Sequence, residues 1–356
     1  MRINPGLQVL SLMEGVVQIG TGQRARWITG LSAAEKRFVL SLGNDGQGTA
    51  APVDPTQDRP KGQPREQGPD ATRRSEILAM LAPVLLDTPA RTAPGARPGS
   101  GHGLGHGLGA RLVPDVRQWS AAYQMDAAEV LERRAGARVA VQGCGRMGQL
   151  LAHILAAAGV GSLMLSDAAS MDAGDLGAGT TGIGSVGTPR ARATARALAP
   201  LYPHLVVAET GQRSPDAPPL DMAVVISGGM LPPLESLATD AAVLPVLFTD
   251  SGMNLGPLCL PGLTMCERCV WEQCDPTLRL LADAGIGARV PGLRPEASLA
   301  AVAAGMAAMQ VLMVLDRINI PSAAGSMLVC DLPTGSTTMV PAKTRPRCNC
   351  LDSLAA

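Results

Sequence analysis

Two sets of residues in this 356-residue chain are spaced for chemistry. The first is sulfur. Cys266 and Cys269 are two residues apart and Cys348 and Cys350 are one apart, so each pair can turn two thiolates toward one ion. Four thiolates delivered as two close pairs suit a closed tetrahedral zinc site, a structural one because no ligand position is left open. The second is the turn Gly143-Cys-Gly-Arg-Met-Gly148, followed by Asp167. Its first glycine permits a tight turn, its second lets phosphate approach, and its third lets the following helix pack closely on the preceding strand. A carboxylate about twenty residues later can accept hydrogen bonds from ribose hydroxyls. Gly143, Gly145, Gly148 and Asp167 are therefore candidate nucleotide-binding residues, with Asp167 as the ribose acid.

The elements that must position them follow from periodicity. Arg138–Gln142 reads as a strand, 146–158 as a helix, Ser162–Ser166 as a second strand and 189–199 as a further helix. Strands also fit 205–209, 222–226 and 243–248. Strands alternating with helices predict an α/β, doubly wound, Rossmann-like and mostly parallel sheet, preceded by one helix over 115–134. Upstream, short apolar runs at 7–12, 16–19 and 25–28 predict a small sheet. Ser32 and Glu35 have capping-box spacing for a helix over 33–42, and a second helix is expected over 75–87 with Pro83 as a liability.

Composition sets the boundaries. Residues 44–74 and 88–112 are rich in Gly and Pro and read as a flexible insertion and a linker. They divide the chain into 1–87, a small α+β domain, and 113–356, an α/β domain with the cysteine doublets in its C-terminal extension. His102 and His106 lie in the glycine-rich tract 101–109, whose ordering entropy argues against a metal site there. Formal charge is zero, with three Trp, two Tyr and two Phe, which excludes the electrostatic footprint and stacking platforms of a nucleic-acid binder. The apolar stretch 297–315 is long enough to span a membrane, but its small residues gain little in lipid and predict a buried packing helix. With no secretory signal at Met1-Arg-Ile-Asn-Pro-Gly6 and eight cysteines better read as metal ligands and core thiols, a cytoplasmic protein is expected. Cys144, Cys259 and Cys330 read as buried small residues, and Cys274 as a bystander.

The residues 138–148, 156–167, 186–190 and the two doublets resemble the ThiF/MoeB superfamily, the adenylating fold shared with ubiquitin-activating enzymes. The resemblance covers 113–356. It implies a homodimer that binds ATP and Mg²⁺ at the glycine turn and activates the C-terminal carboxylate of a carrier protein as an acyl-adenylate. It also implies that Arg190 stands where the family has a lysine, which makes it the one candidate catalytic residue. Three departures bear on activity. Residues 172–180 contain no basic residue where the family has Asn and Arg, Arg190 is not a lysine, and Ser227-Gly-Gly229 offers no carboxylate where a metal-binding aspartate is expected.

A closer resemblance, carried by 256–269, the alanine-rich helix before Leu315, the strand ending at Asp331 and Cys348–Cys350, is to ThiF-like cyclodehydratase proteins of thiazole/oxazole-modified peptide pathways. That resemblance implies a PqqD-like, winged-helix-like unit at 1–87 that captures a leader peptide, and a YcaO-type partner enzyme. The expectation is a scaffold impaired in adenylation. The alternative is an active adenylyltransferase, with Arg192 or Arg196 as compensating cations. A third reading, an NAD(P)-dependent oxidoreductase, fits 143–167 but leaves only His153 or His204 as acid/base candidates.

Overall fold

A computed structural model of the chain describes residues 1–43, 69–87, 106–179, 181–209, 219–229, 241–271, 280, 284–285, 292–344, 348 and 350. Most of the expected insertion and linker, and Cys274, lie outside these residues. The chain forms two compact units, Met1–Leu131 and Glu132–Ala356.

In the first unit, β1 (Arg2–Ile3) will pair with a later strand, while β2 (Val9–Met13), β3 (Val16–Ile19) and β4 (Arg26–Ile28) form an antiparallel sheet in that order. Helix α1 (Ala33–Gly43) starts on the expected capping box. Ser32 N donates to Glu35 Oε2 at 2.7 Å and Glu35 N to Ser32 Oγ at 3.3 Å. Helix α2 (Ala71–Leu81) begins four residues before the expected Ser75, because the Asp70 side chain caps it by accepting from Arg73 N at 2.8 Å. It stops at Leu81, where Pro83 sits in a single 3₁₀ turn, and β5 (Leu85–Leu86) then pairs with β1. Ile3, Val17, Ile19, Val39, Ile77 and Leu81 make the core of these elements.

The single helix expected over 115–134 is two helices in fact. After α3 (His106–Arg111), α4 (Val113–Tyr123) ends at Gln124, which adopts a left-handed φ of 57°, and α5 (Ala128–Gly136) starts anew. The break is a polar one. Ala127 N donates to Ser120 Oγ and Ala128 N to Asp126 Oδ1, so two side chains take the amides that a continuous helix would use.

The second unit is built on eight strands among the described residues. They are β6 (Arg138–Gln142), β7 (Ser162–Ser166), β8 (Val206–Glu209), β9 (Met222–Gly228), β10 (Ala242–Thr249), β11 (Gly252–Leu255), β12 (Ser326–Asp331) and β13 (Ser336–Pro341). Spatial order is β13-β12-β11-β10-β9-β6-β7-β8. The pairings from β10 to β8 are parallel, as expected, but β10 to β13 are antiparallel, so the sheet is mixed. The reason is local, since β10 and β11 are joined by Asp250 and Ser251 alone, and so short a connection can only fold back. All six residues of β13 are exposed, which is why it carries no apolar alternation to read.

Among the described residues the unit also has helices α6 (Arg146–Ala157), α7 (Arg190–Leu198), α8 (Glu267–Trp271) and α9 (Ala297–Asp316). Helix α9 passes a length and hydropathy test for crossing a membrane. It is a core helix, packed on α6, β10 and β11, with Leu299, Ala303, Ala307, Val311 and Leu315 buried. Glu296 caps its start, accepting from Ser298 N and Leu299 N. Its end is held by Asp316, which receives Arg134 Nε at 2.8 Å and Nη2 at 2.6 Å in a fully buried, bidentate pair.

Candidate functional site

The glycine turn is dictated by crowding. Gly143 has φ of +97°, and a side chain there would meet the Ile226 carbonyl at 2.8 Å; a Cβ at Gly148 would lie 1.9 Å from the Gly143 carbonyl. Only glycine lets α6 start this close to β6 and β9. The free amides at the head of α6 then face a cavity of about 660 Å³. Gly143, Gly145, Gly148, Asp167 and Arg190, the five residues expected from sequence, all line it. So do Arg146, Asp175 and Arg294, which the sequence reading did not single out.

The charges form a network. Asp167, at the end of β7, accepts from Cys144 N at 2.8 Å and Ala169 N at 2.9 Å, with Arg190 Nη1 at 3.6 Å. Arg190 Nε donates to Asp175 Oδ2 at 2.8 Å. Burial acts to lower the Arg190 pKa, but the bond to Asp175 and the charges of Asp167, Asp175 and Asp172 outweigh it and hold the guanidinium above its ordinary value. Arg294 Nη1 donates to Asp172 Oδ1 at 2.6 Å, Nη2 makes a second contact with the same carboxylate, and Nε lies 3.8 Å from Asp175. The Asp172 carboxyl is accordingly held below the usual range, by the Arg294 hydrogen bond first. Gln149, buried on α6, fixes this loop by donating to the Asp175 carbonyl at 3.2 Å and accepting from Thr181 at 2.7 Å.

These contacts revise the reading of residues 172–180 as a phosphate region without cations. The loop itself has none, but Arg294 reaches it from the segment before α9, and Arg146 comes from the glycine turn. Ser227–Gly229 indeed carries no carboxylate, and the cause is steric. A Cβ at Gly228 would lie 1.8 Å from the Leu293 carbonyl, so the segment bearing Arg294 crosses the tip of β9 only because glycine is there. Arg192 pairs with Glu209 on the surface and is not among the cavity's residues. His153 and His204 pack edge-on against Tyr202, also outside the cavity lining. Cys144 is fully buried and its thiol is pushed up to about 12, by burial first and then by Asp167, so it is a packing residue and not a nucleophile.

Cys266, Cys269, Cys348 and Cys350 converge, with one sulfur from each within 4.8 Å of all the others. Cys266 precedes α8 and Cys269 lies in it, where Cys269 N donates to the Cys266 carbonyl at 2.9 Å and turns both thiols to one side. Sγ separations are 3.8 Å for Cys266–Cys269, 3.7 Å for Cys266–Cys348 and 3.8 Å for Cys269–Cys350. A zinc tetrahedron with bonds of about 2.3 Å has edges of roughly 3.8 Å. The four residues thus fit zinc closely and leave no open coordination position. Val225, Val243, Met265 and Val270 pack beneath them, together with Cys259, whose thiol burial pushes up to about 12. Cys330 is buried in β12.

Residues 118–226 match the family model described as the ThiF family. No curated protein matches the sequence. Among solved structures, E. coli MccB with ATP is 16% identical with a TM-score of 0.64, covering 98% of this chain and 99% of that one. E. coli MccB with AMPCPP and MccA is 16% identical with a TM-score of 0.66, covering 98% of each. PaaA is 17% identical with a TM-score of 0.58, covering 76% of this chain and 92% of its own. At such identities the likeness establishes the fold.

It also overturns the expectation of a scaffold impaired in adenylation. The chain follows, along nearly its whole length, a protein solved with ATP and with MccA, and the cations that seemed absent are supplied from elsewhere in the chain. None of the matches distinguishes the cyclodehydratase branch, a YcaO-type partner or a dimer. The family match covers residues 118–226, and the likeness to MccB shows that the sheet around them has the same fold.

Proposed function

We propose that this chain is an adenylyltransferase that uses ATP to activate the C-terminal carboxylate of a small peptide or protein. The observation that carries the reading is the cavity itself, where the amides at the head of α6, the Asp167 carboxylate and three arginines converge. Asp167 is suited to the ribose hydroxyls, and the α6 amides to the phosphates. In the reaction, a carboxylate oxygen of the peptide forms a bond to the α-phosphorus as the bond to pyrophosphate breaks, leaving an acyl-adenylate. Negative charge grows on the departing pyrophosphate, and Arg190 and Arg294 are the cations positioned to offset it. Magnesium is the usual companion of ATP, and Asp172 and Asp175 are the carboxylates nearest the phosphate region. Zinc at Cys266, Cys269, Cys348 and Cys350 is structural. Residues 1–87, with their three-stranded sheet and helices α1 and α2, are proposed to hold the peptide. The exposed Leu12, Met13 and Trp27 on that sheet support this role.

Exchange of labelled pyrophosphate into ATP in the presence of peptides with free C-termini tests the reading. Exchange is expected with a subset of peptides, to vanish when the C-terminus is amidated, and to fall at least about a hundredfold in Arg190→Ala. A protein that binds ATP yet exchanges with no free carboxylate would sink the proposal.

A further inference from the structure

The cavity has two unlike sides, and the strand register separates them. A Cβ at Gly148 in α6 would lie 3.4 Å from Ile226 Cδ1, so Ile226 of β9 points to the α6 face of the sheet. Ser227, the next residue, points to the other face. Gln142 shares that face, because it pairs in register with Val225, two residues before Ser227, and Ser166 shares it as the partner of Gln142 on β7. All three are half-buried and line the cavity. The cations come from the opposite side. Arg190 opens α7, which packs on α6, and Arg294 follows Leu293, whose carbonyl occupies the place of a Gly228 side chain on the Ile226 face.

One side of the cavity is therefore cationic and the other is polar without charge. Gln142 is the unusual member of its row, since Ala140, Val225 and Leu247 around it on that face are buried and apolar. A half-buried carboxamide among such neighbours is costly unless it is hydrogen-bonded, and this one stands at the cavity end of the row. Displacement at phosphorus places the attacking and leaving oxygens roughly in line. With pyrophosphate departing toward the arginines, the attacking carboxylate arrives from the side of Gln142, Ser166 and Ser227. Neutral donors suit that position. A guanidinium there would hold the carboxylate before attack and waste its binding on the ground state.

We infer, on the reading that this cavity adenylates a carboxylate, that Gln142 binds the C-terminal carboxylate of the peptide, with Ser166 and Ser227 beside it. The Gln142 amide nitrogen donates to one carboxylate oxygen while the other attacks. That oxygen bonds to the α-phosphorus, the electron pair of the broken phosphorus–oxygen bond leaves with pyrophosphate, and no proton moves.

The test pairs two measurements on the full-length protein, calorimetric titration with ATP and pyrophosphate exchange with a panel of free-C-terminus peptides that differ in the last residue. Zinc content and a thermal melt are checked for each variant. Gln142→Val is expected to raise the peptide KM at least about tenfold, the cost of a lost hydrogen bond to a charged group, with the ATP Kd held within about twofold. Gln142→Asn, which keeps the amide on a shorter stem, should fall between, and Ser166→Ala should raise the peptide KM less. Should Gln142→Val melt early, these two variants decide. A weaker ATP Kd with an unchanged peptide KM would assign Gln142 to the nucleoside and overturn the inference, as would variants that leave both constants unchanged. A wild-type protein that binds ATP yet exchanges with no peptide removes the adenylation reading, and this inference with it.

Discussion

The thiolate cluster and the arginine-lined pocket are both assembled from distant segments, yet one was legible from the sequence and the other only in outline. Cys266 and Cys348 lie 82 residues apart, and Arg294 and Asp172 lie 122 apart. The difference is in what each ligand needs. A thiolate destined for zinc needs another thiolate beside it, and a close doublet records that need in the chain. A pocket arginine needs a carboxylate that can come from anywhere, so its spacing carries no mark. The two regions are therefore held by different forces, the cluster by metal coordination and the pocket by ion pairs and caps.

The largest effect should come from breaking the cluster. Cys266→Ser is expected to lower zinc from about one equivalent to none and to destabilise the unit Glu132–Ala356 by several kcal/mol, about 10 °C or more in unfolding temperature. Metal analysis and a thermal melt check this, and a variant that keeps its melting point would reduce the cluster to an incidental group of thiols.

Legibility elsewhere followed the same logic. The glycine turn, β7 and Asp167 were readable because the constraint is local, a strand, a tight turn and a helix within 30 residues. So were α1, where a capping box and periodicity agree, and the start of α6, set by the glycine turn. The break at Gln124 was missed because Ser120 and Asp126 look like ordinary helix-surface residues until they capture the amides of Ala127 and Ala128. Strand β13 was missed because an exposed edge shows no alternation. Arg294 was missed because its charge becomes part of the pocket only when Gly228 lets the Leu293 backbone cross β9. That glycine, read as the loss of an aspartate, was the available signal.

Among the ion pairs, Arg134→Met tests whether the buried pair with Asp316, which lies outside the pocket lining, anchors α9. Removing one partner leaves an unpaired buried carboxylate and should cost about 3–5 kcal/mol. Adding Asp316→Leu should recover most of the loss, and denaturant unfolding of the single and double variants measures both. If the single variant is as stable as wild type, ion pairing is not what secures this region.

The smallest effect concerns the cap at the other end of α9. The Glu296 carboxyl is held down to about 2, first by its hydrogen bond to the Ser298 hydroxyl and then by the backbone amides of Ser298 and Leu299. A depressed carboxyl stabilises the fold fully above its unfolded value of 4.5, and that contribution fades as pH falls toward 2. Glu296→Gln should therefore unfold at a lower temperature than wild type above pH 4.5, and the two melting curves should converge toward pH 2. A constant gap across this range would assign the difference to something other than the charge.

Helix α9 offers twenty residues with a single charge, Asp316, at its far end. During synthesis such a segment is the kind that chaperones and insertion machinery seize on. Chain order guards against that fate. Arg134, α6, β10 and β11 all precede α9, so its docking surface and counter-ion have already left the ribosome when it emerges. A circular permutant that made α9 first would strand it without either, and would be expected to aggregate or misroute even though its folded form were identical.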